Sequence, residues 1–328
     1  MKRKKSQCWS TTRLTFPTHN GCRTLLEGKV GLFDFSPYKV FHILPWASLV
    51  SYEEESVKSN RRVALVTGAS SGIGAACAEQ LCSAGFEVYG TSRHPKRMNG
   101  RGGIAMLRLD VRNDASVRAC IRRVMADAGR MDVLVNNAGV AIEGAVEETS
   151  LEEIRSVLET NFFGAVRMIR AALPIMRKQG NGRIINMGSM AGFLPMPFSA
   201  AYCASKHALR GFSESLDHEV RSLGIRVCVI EPGFIKTDIV QHSPTAGAPF
   251  EPYISVRRKP SQAFRKQIAD GFDPNLVAHS VVAAATDAYP SLRYLPDGSA
   301  NIAALLRAVL PSPLFDFALR KGMGIDDR

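Results

Sequence analysis

At 328 residues and 45% hydrophobic content the chain can bury a full core, as one large α/β domain plus an appendage, and no apolar run approaches the roughly 20 residues of a membrane-spanning helix. Its net charge is +12, but half of the excess lies in residues 1–62, with 11 Lys/Arg against 5 Asp/Glu; the rest shows no dense basic stripe with interleaved aromatics, which argues against a nucleic-acid partner. The seven cysteines (Cys8, Cys22, Cys77, Cys82, Cys120, Cys203, Cys228) form no C-x-x-C pair, which favours reduced thiols in a cytoplasmic setting over a disulfide framework or a metal centre.

Residues 1–60 have no hydrophobic period. They open with Lys2-Arg3-Lys4-Lys5 and carry no acid before Glu27. An acid-poor, Ser/Thr-containing start is compatible with an organelle transit peptide, but Pro37 and Pro45 interrupt any amphipathic helix; the favoured expectation is a disordered or non-native extension, with Val57 a candidate natural start.

Val63-Ala64-Leu65-Val66 is a short, apolar, β-branched run. The small and flexible Thr67-Gly68-Ala69-Ser70-Ser71-Gly72-Ile73-Gly74 follows, and then a helical stretch from Ala75 to Leu81. Strand, tight turn and helix start make a phosphate cradle, because the unpaired N–H groups and positive dipole end of the helix face the turn. The spacing Thr-Gly-x-x-x-Gly-x-Gly departs from the G-x-G-x-x-G fingerprint and resembles the cofactor motif of the short-chain dehydrogenase/reductase family. The resemblance implies that Thr67, Gly68, Ser70, Ser71, Gly72, Ile73 and Gly74 border a dinucleotide.

Beyond it, apolar strands alternate with amphipathic helices: Phe86 to Arg93, Ile104 to Leu109, a helix from about Asn113 to Ala128, and Val133 to Asn136. Such βαβ repetition predicts a Rossmann-type, doubly wound parallel sheet in a three-layer α/β/α domain over residues 61–328, with ligands at the strand carboxyl ends. The second strand ends in Ser92-Arg93, where an acid would accept from the ribose hydroxyls of NAD; a guanidinium there suits a 2′-phosphate and favours NADP(H), with NAD(H) still possible. A surface arginine beside Lys96 and Arg97 is the blander alternative. By the resemblance, Asp110 and its neighbour Val111 meet the adenine, although an isolated Asp also suits a helix cap.

Asn136-Asn137-Ala138-Gly139 is the run that family members carry where the fourth strand meets the cofactor, which assigns Asn137, Ala138 and Gly139 to the nucleotide; a plain turn has the same composition. Asn161 sits within an amphipathic stretch that begins at Leu151, and because Asn competes for backbone hydrogen bonds it predicts a local irregularity. The resemblance makes Asn161 the holder of a water that links the catalytic lysine to solvent.

A buried strand, Arg183 to Met187, leads to Ser189, and a helix then carries Tyr202 and Lys206 four residues apart on one face. Phenols titrate near pH 10, and a nearby ammonium favours the phenolate. Tyr202 would then exchange a proton with the substrate oxygen, Ser189 would orient that oxygen, and Lys206 would also reach the nicotinamide ribose. Farther on, Pro232, Gly233 and Thr237 match the family turn that passes the nicotinamide.

The wording from Tyr202 to Phe212, with Leu216 to Val220 and Ile230 to Phe234, is similar to the hydroxysteroid dehydrogenase-like branch. This implies a bulky apolar alcohol or carbonyl substrate (a steroid, retinoid, lipid or xenobiotic) and a homodimer or homotetramer. The competing reading is an NAD(P)-binding regulatory protein with little turnover. Residues from about 234 to 273 read as a long substrate loop that Phe234, Ile239, Phe250, Tyr253 and Phe264 either line or fill with a small core of their own. The tail, about 299–320, has an apolar stripe at helical spacing from Ile302 to Leu310, which suits packing over the substrate opening, a subunit interface or a membrane surface; core or interface packing is the default expectation.

Overall fold

A computed structural model describes residues 61–95, 103–237 and 245–325. The expectations for the 1–60 extension, for Val57, Lys96, Arg97 and Ile239, and for Cys8 and Cys22 lie outside them.

Seven parallel strands form one sheet in the order β3-β2-β1-β4-β5-β6-β7: β1 (Val63–Val66), β2 (Glu87–Ser92), β3 (Ala105–Arg108), β4 (Val133–Asn136), β5 (Gly182–Met187), β6 (Ile225–Ile230) and β7 (Arg293–Tyr294). Every residue of β1 is buried, and successive side chains go to opposite faces. Val63 and Leu65 join a core packed under α2 (Asp114–Ala128), α4 (Gly164–Gln179) and α5 (Ala200–Val220). Ala64 and Val66 join a second core under α1 (Gly72–Ser83) and α7 (Pro274–Thr286). This two-sided burial explains why the strands read as continuous apolar runs. The strand order reverses at β1, between β2 and β4, and a doubly wound sheet opens its ligand crevice at such a point.

The irregularity expected at Asn161 is a π-helical turn, Glu159–Phe163, between α3 (Leu151–Leu158) and α4. The substrate loop needs correction. Most of its second half is a 19-residue helix, α6 (Glu251–Ala269). Pro252 and Pro260 read as breakers in the sequence, but Pro252 occupies the first turn, where its missing N–H costs nothing, and Pro260 is buried on the inner side of the helix.

Acids of residues 143–153 hold the α6 region down. Glu148 accepts from the Phe250 N–H at 2.9 Å and pairs with Arg257; Glu147 accepts from the Tyr253 hydroxyl at 2.9 Å; Glu153 accepts from the Gly247 N–H at 3.0 Å. Glu143 pairs with Ser261 and Arg265. The tail forms two helices, α8 (Gly298–Val309) and α9 (Ser312–Gly322).

Candidate active site

The β1–α1 turn works through its backbone. Gly68 has φ of +66°, and a Cβ on Gly74 would lie 2.1 Å from the Gly68 carbonyl oxygen, so only glycine lets the helix start close against the strand end. The Ser71 side chain caps none of the first-turn N–H groups of α1, and no acid occupies that turn, which leaves its positive end to the groove.

Thr67 and Asn137 lock the turn to the end of β4. The Thr67 hydroxyl accepts from the N–H groups of Asn137 and Ala138 at 2.9 and 3.0 Å, and the Asn137 amide donates to the carbonyls of Thr67 and Gly68 at 2.9 and 3.1 Å. Asn136 reaches sideways to Asn186 of β5 at 2.8 Å.

The groove so formed, of ≈ 650 Å³, brings together Gly68, Ser70 to Gly74, Ser92, Arg93, Asp110, Val111, Asn137 to Gly139 and Thr237. Its volume and its open helix N-terminus fit a dinucleotide with the pyrophosphate at α1. Asp110 is already engaged: its carboxylate is held by Arg112 at 3.0 and 3.1 Å, a pairing that keeps it below the usual carboxylate range despite burial acting the other way. Arg112 escaped the sequence reading because nothing in Val111-Arg112-Asn113 separates it from a solvated arginine. With Arg93, His94 and Arg108 it lines an adjoining basin of ≈ 440 Å³.

A second cavity, of ≈ 150 Å³, opens from the groove and shares Ile73, Asn137, Gly139 and Thr237 with it. Ser189, Tyr202, Lys206, Pro232 and Gly233 line it. Ser189 ends the β5 segment, where its hydroxyl accepts from the Ala191 N–H at 3.1 Å. Lys206 is buried one helical turn from Tyr202, and its ammonium donates to the Met187 carbonyl at 2.7 Å and lies 5.6 Å from the phenol ring centroid.

Burial pushes the Tyr202 phenol up to about 12, with a Ser189 hydrogen bond acting the other way, and pushes Lys206 down to about 8. In the protein alone, burial thus works against the charged form of both groups and opposes the bias toward phenolate that the Lys206 ammonium and a bound oxidised nicotinamide are expected to supply. Asn161 is fully engaged, with its amide oxygen accepting from the Val140 N–H at 2.8 Å and its amide nitrogen donating to the Val140 carbonyl at 2.9 Å and to the Ser205 hydroxyl at 3.0 Å.

The remaining wall is mostly apolar, with Met187, Met190, Met196, Phe234, Phe264 and Ile268, and Glu143 and Ser199 are its polar members. Of the aromatics read from sequence, Phe234 and Phe264 line the cavity in an edge-to-face pair, whereas Phe250 points outward and Tyr253 is spent on Glu147. Asp297 was also missed. It is buried, caps α8 by accepting from Ala300, and accepts from the Gly233 N–H at 2.7 Å, tying the tail to the turn beside the cavity; Pro296-Asp297-Gly298 carries a helix-start signal but nothing that foretells the long-range bond.

The family model described as short chain dehydrogenase matches residues 62–247. The chain belongs to the short-chain dehydrogenase family. It is 46% identical over 176 residues, 54% of this chain, to a 3-ketodihydrosphingosine reductase of Bacteroides thetaiotaomicron, and spans 65% of that relative's length. It is 35% identical over 279 residues to 17-beta-hydroxysteroid dehydrogenase type 1 of Homo sapiens, covering 77% of this chain and 82% of the relative. Among solved structures, a short-chain dehydrogenase from Streptomyces avermitilis superposes with a TM-score of 0.69 at 33% identity, over 81% of this chain and 98% of that one. Two others carry cofactor: one from Burkholderia phymatum with NAD (TM-score 0.67, 26% identity, 76% and 94% covered) and a metagenomic oxidoreductase with NADP (0.58, 29%, 71% and 96%). This dehydrogenase is therefore an oxidoreductase acting on CH–OH groups with a nicotinamide cofactor, and no helix among its described residues is long and apolar enough to cross a membrane.

Proposed function

We propose that this dehydrogenase interconverts a secondary alcohol and a carbonyl on a bulky apolar substrate, with NADP(H) preferred. The observation that carries the proposal is the meeting of Ser189, Tyr202 and Lys206 in one mostly apolar cavity that opens from the dinucleotide groove. The bound nicotinamide supplies or accepts the hydride. In reduction Tyr202 gives its phenolic proton to the carbonyl oxygen, a role that suits a phenol held protonated by burial. Ser189 donates a hydrogen bond to the same oxygen, and the Lys206 ammonium offsets the charge left on the phenolate. Asn161 positions these groups by tying Ser205 of α5 to Val140 of the cofactor wall.

The names of the relatives fit both ends of such an interconversion, a keto compound in one and a hydroxysteroid in the other. The buried, free Cys77, Cys120 and Cys228, whose thiols burial raises, favour a reducing compartment such as the cytoplasm. A homodimer or homotetramer fits the same reading.

The preference for NADP(H) rests on Arg93 beside Ser92 at the groove, with Arg112 and Arg108 on the adjoining basin. Removing Arg93 strips a charge-assisted hydrogen bond worth about 1.5–3 kcal/mol, or roughly ten- to a hundred-fold in NADPH affinity, and leaves NADH nearly unchanged. Dissociation constants for both cofactors with Arg93→Ala at fixed salt test this; equal losses would mean that Arg93 reads no phosphate. A panel of carbonyls of rising apolar bulk, followed by loss of the reduced-nicotinamide absorbance, tests the substrate class; a preference for small hydrophilic carbonyls would overturn it.

A further inference from the structure

Helix α8 is built inside out. Three of its four alanines, Ala300, Ala303 and Ala304, face inward, and the last two of these pack on the Met190, Phe193 and Leu194 cluster behind Ser189. Its large residues, Ile302, Leu305, Leu306 and Val309, follow one another at i, i+3, i+4 and i+7 and point outward, and Leu314 and Phe317 repeat the pattern on α9; all six are between 40% and 67% exposed. A helix whose only task is to cover a core would put its large aliphatics inward and leave alanines in water.

Cations accompany this face. Lys321 lies over the outward Phe317 ring of α9, 5.9 Å from its centroid, with Asp316 the one exposed acid of that helix. The chain just after α9 abuts Lys259 of α6, a helix that also exposes Arg258, Lys266 and the Glu143-paired Arg265 and carries only Glu251 as an acid. Arg307 instead continues the inward stripe of Ala300, Ala303 and Ala304 and stacks on the buried Phe315. The inner side of α6 supplies Phe264 and Ile268 to the apolar cavity.

We propose that the outward face of α8 and α9 docks on an anionic bilayer surface, with the aliphatics entering the headgroup boundary and the cations meeting lipid phosphates. The inference deepens the apolar-substrate reading, because α6 and α8 join the docking face to the cavity walls and a lipid-dissolved substrate would enter from that side. Apolar area with basic charge beside it supplies the two components of interfacial binding. A two-fold contact with a second copy would instead set the same cations against each other.

The test is co-flotation of the full chain with phosphatidylcholine vesicles, alone or containing phosphatidylglycerol. Wild type should bind the anionic vesicles, and both Leu305→Ser/Val309→Ser and Lys259→Gln/Lys321→Gln should bind them at least roughly tenfold more weakly while keeping turnover of a water-soluble carbonyl. Absence of vesicle binding by wild type would overturn the proposal. So would variants that bind as wild type does, which would assign the affinity to the basic residues 1–60. A concentration-dependent oligomer that the Leu305→Ser/Val309→Ser change dissociates, without vesicle affinity, would give the face to a second copy. Failure of the active-site reading would show separately, as vesicle binding without turnover of any carbonyl.

Discussion

Around the dinucleotide groove the working surface is backbone and short side chains: three glycines, the open end of α1, and the Thr67 and Asn137 bonds that fix one turn to one strand end. Around the adjoining cavity it is long side chains on helices that arrive late in the chain and are held by acids more than 100 residues earlier, as Glu148 holds Phe250 and Arg257. The first region has little freedom, because every sheet of this topology must present the same ends to the same phosphates. The second can change substrate by changing side chains without disturbing the turn. One side is constrained by geometry and the other by composition.

The largest expected effect lies on the constrained side. Gly74→Ala places a methyl against the Gly68 carbonyl and the Asn137 amide, and the strand end must shift to admit it. The expected cost is about 4 kcal/mol of stability, with loss of cofactor binding. Thermal denaturation with and without NADPH measures both, and an unchanged midpoint with intact cofactor binding would show that the turn is more compliant than its contacts indicate.

The same contrast governs what could be read from the sequence. The β1 turn and the Tyr202/Lys206 pair were legible in local chemistry, glycine for a close approach and four residues for one helical face, whereas the Asn136 to Gly139 run and Ser189 were legible only through the family resemblance. Helix α6 was not, since Pro252 and Pro260 signal breaks and only the tertiary structure places one in the first turn and the other against the interior. Arg112, Asp297 and Glu148 escaped for a related reason. Each acts through a partner that the sequence does not announce, whether two residues away or, for Asp297, 64 residues away at Gly233.

A smaller effect separates the two sides directly. Glu148→Gln removes the charge that holds Arg257, so α6 should loosen: the KM for a bulky substrate should rise about tenfold and hydrogen exchange across 251–269 should quicken, with NADPH affinity unchanged. Parallel losses in NADPH affinity would mean that the two regions are not separable.

The smallest effect is the pH counterpart of that change. Burial acts to raise the Glu148 carboxyl, but the N–H groups of Phe250 and Ala145 and the Arg257 guanidinium outweigh it and hold the pKa below the usual carboxylate range. A depressed folded value means that the docking is complete above the unfolded value, about 4.3, and is lost as pH falls through the folded one. Exchange across α6 should therefore quicken in wild type as pH falls below that unfolded value. In Glu148→Gln that acceleration should be reduced.

The most direct test of the whole account is Tyr202→Phe, which deletes one transferable proton and keeps the ring. NADPH affinity should stay within about twofold of wild type, while the single-turnover rate of carbonyl reduction falls at least about a hundredfold. A single-turnover rate near that of wild type would contradict the assignment of Tyr202 as the proton donor.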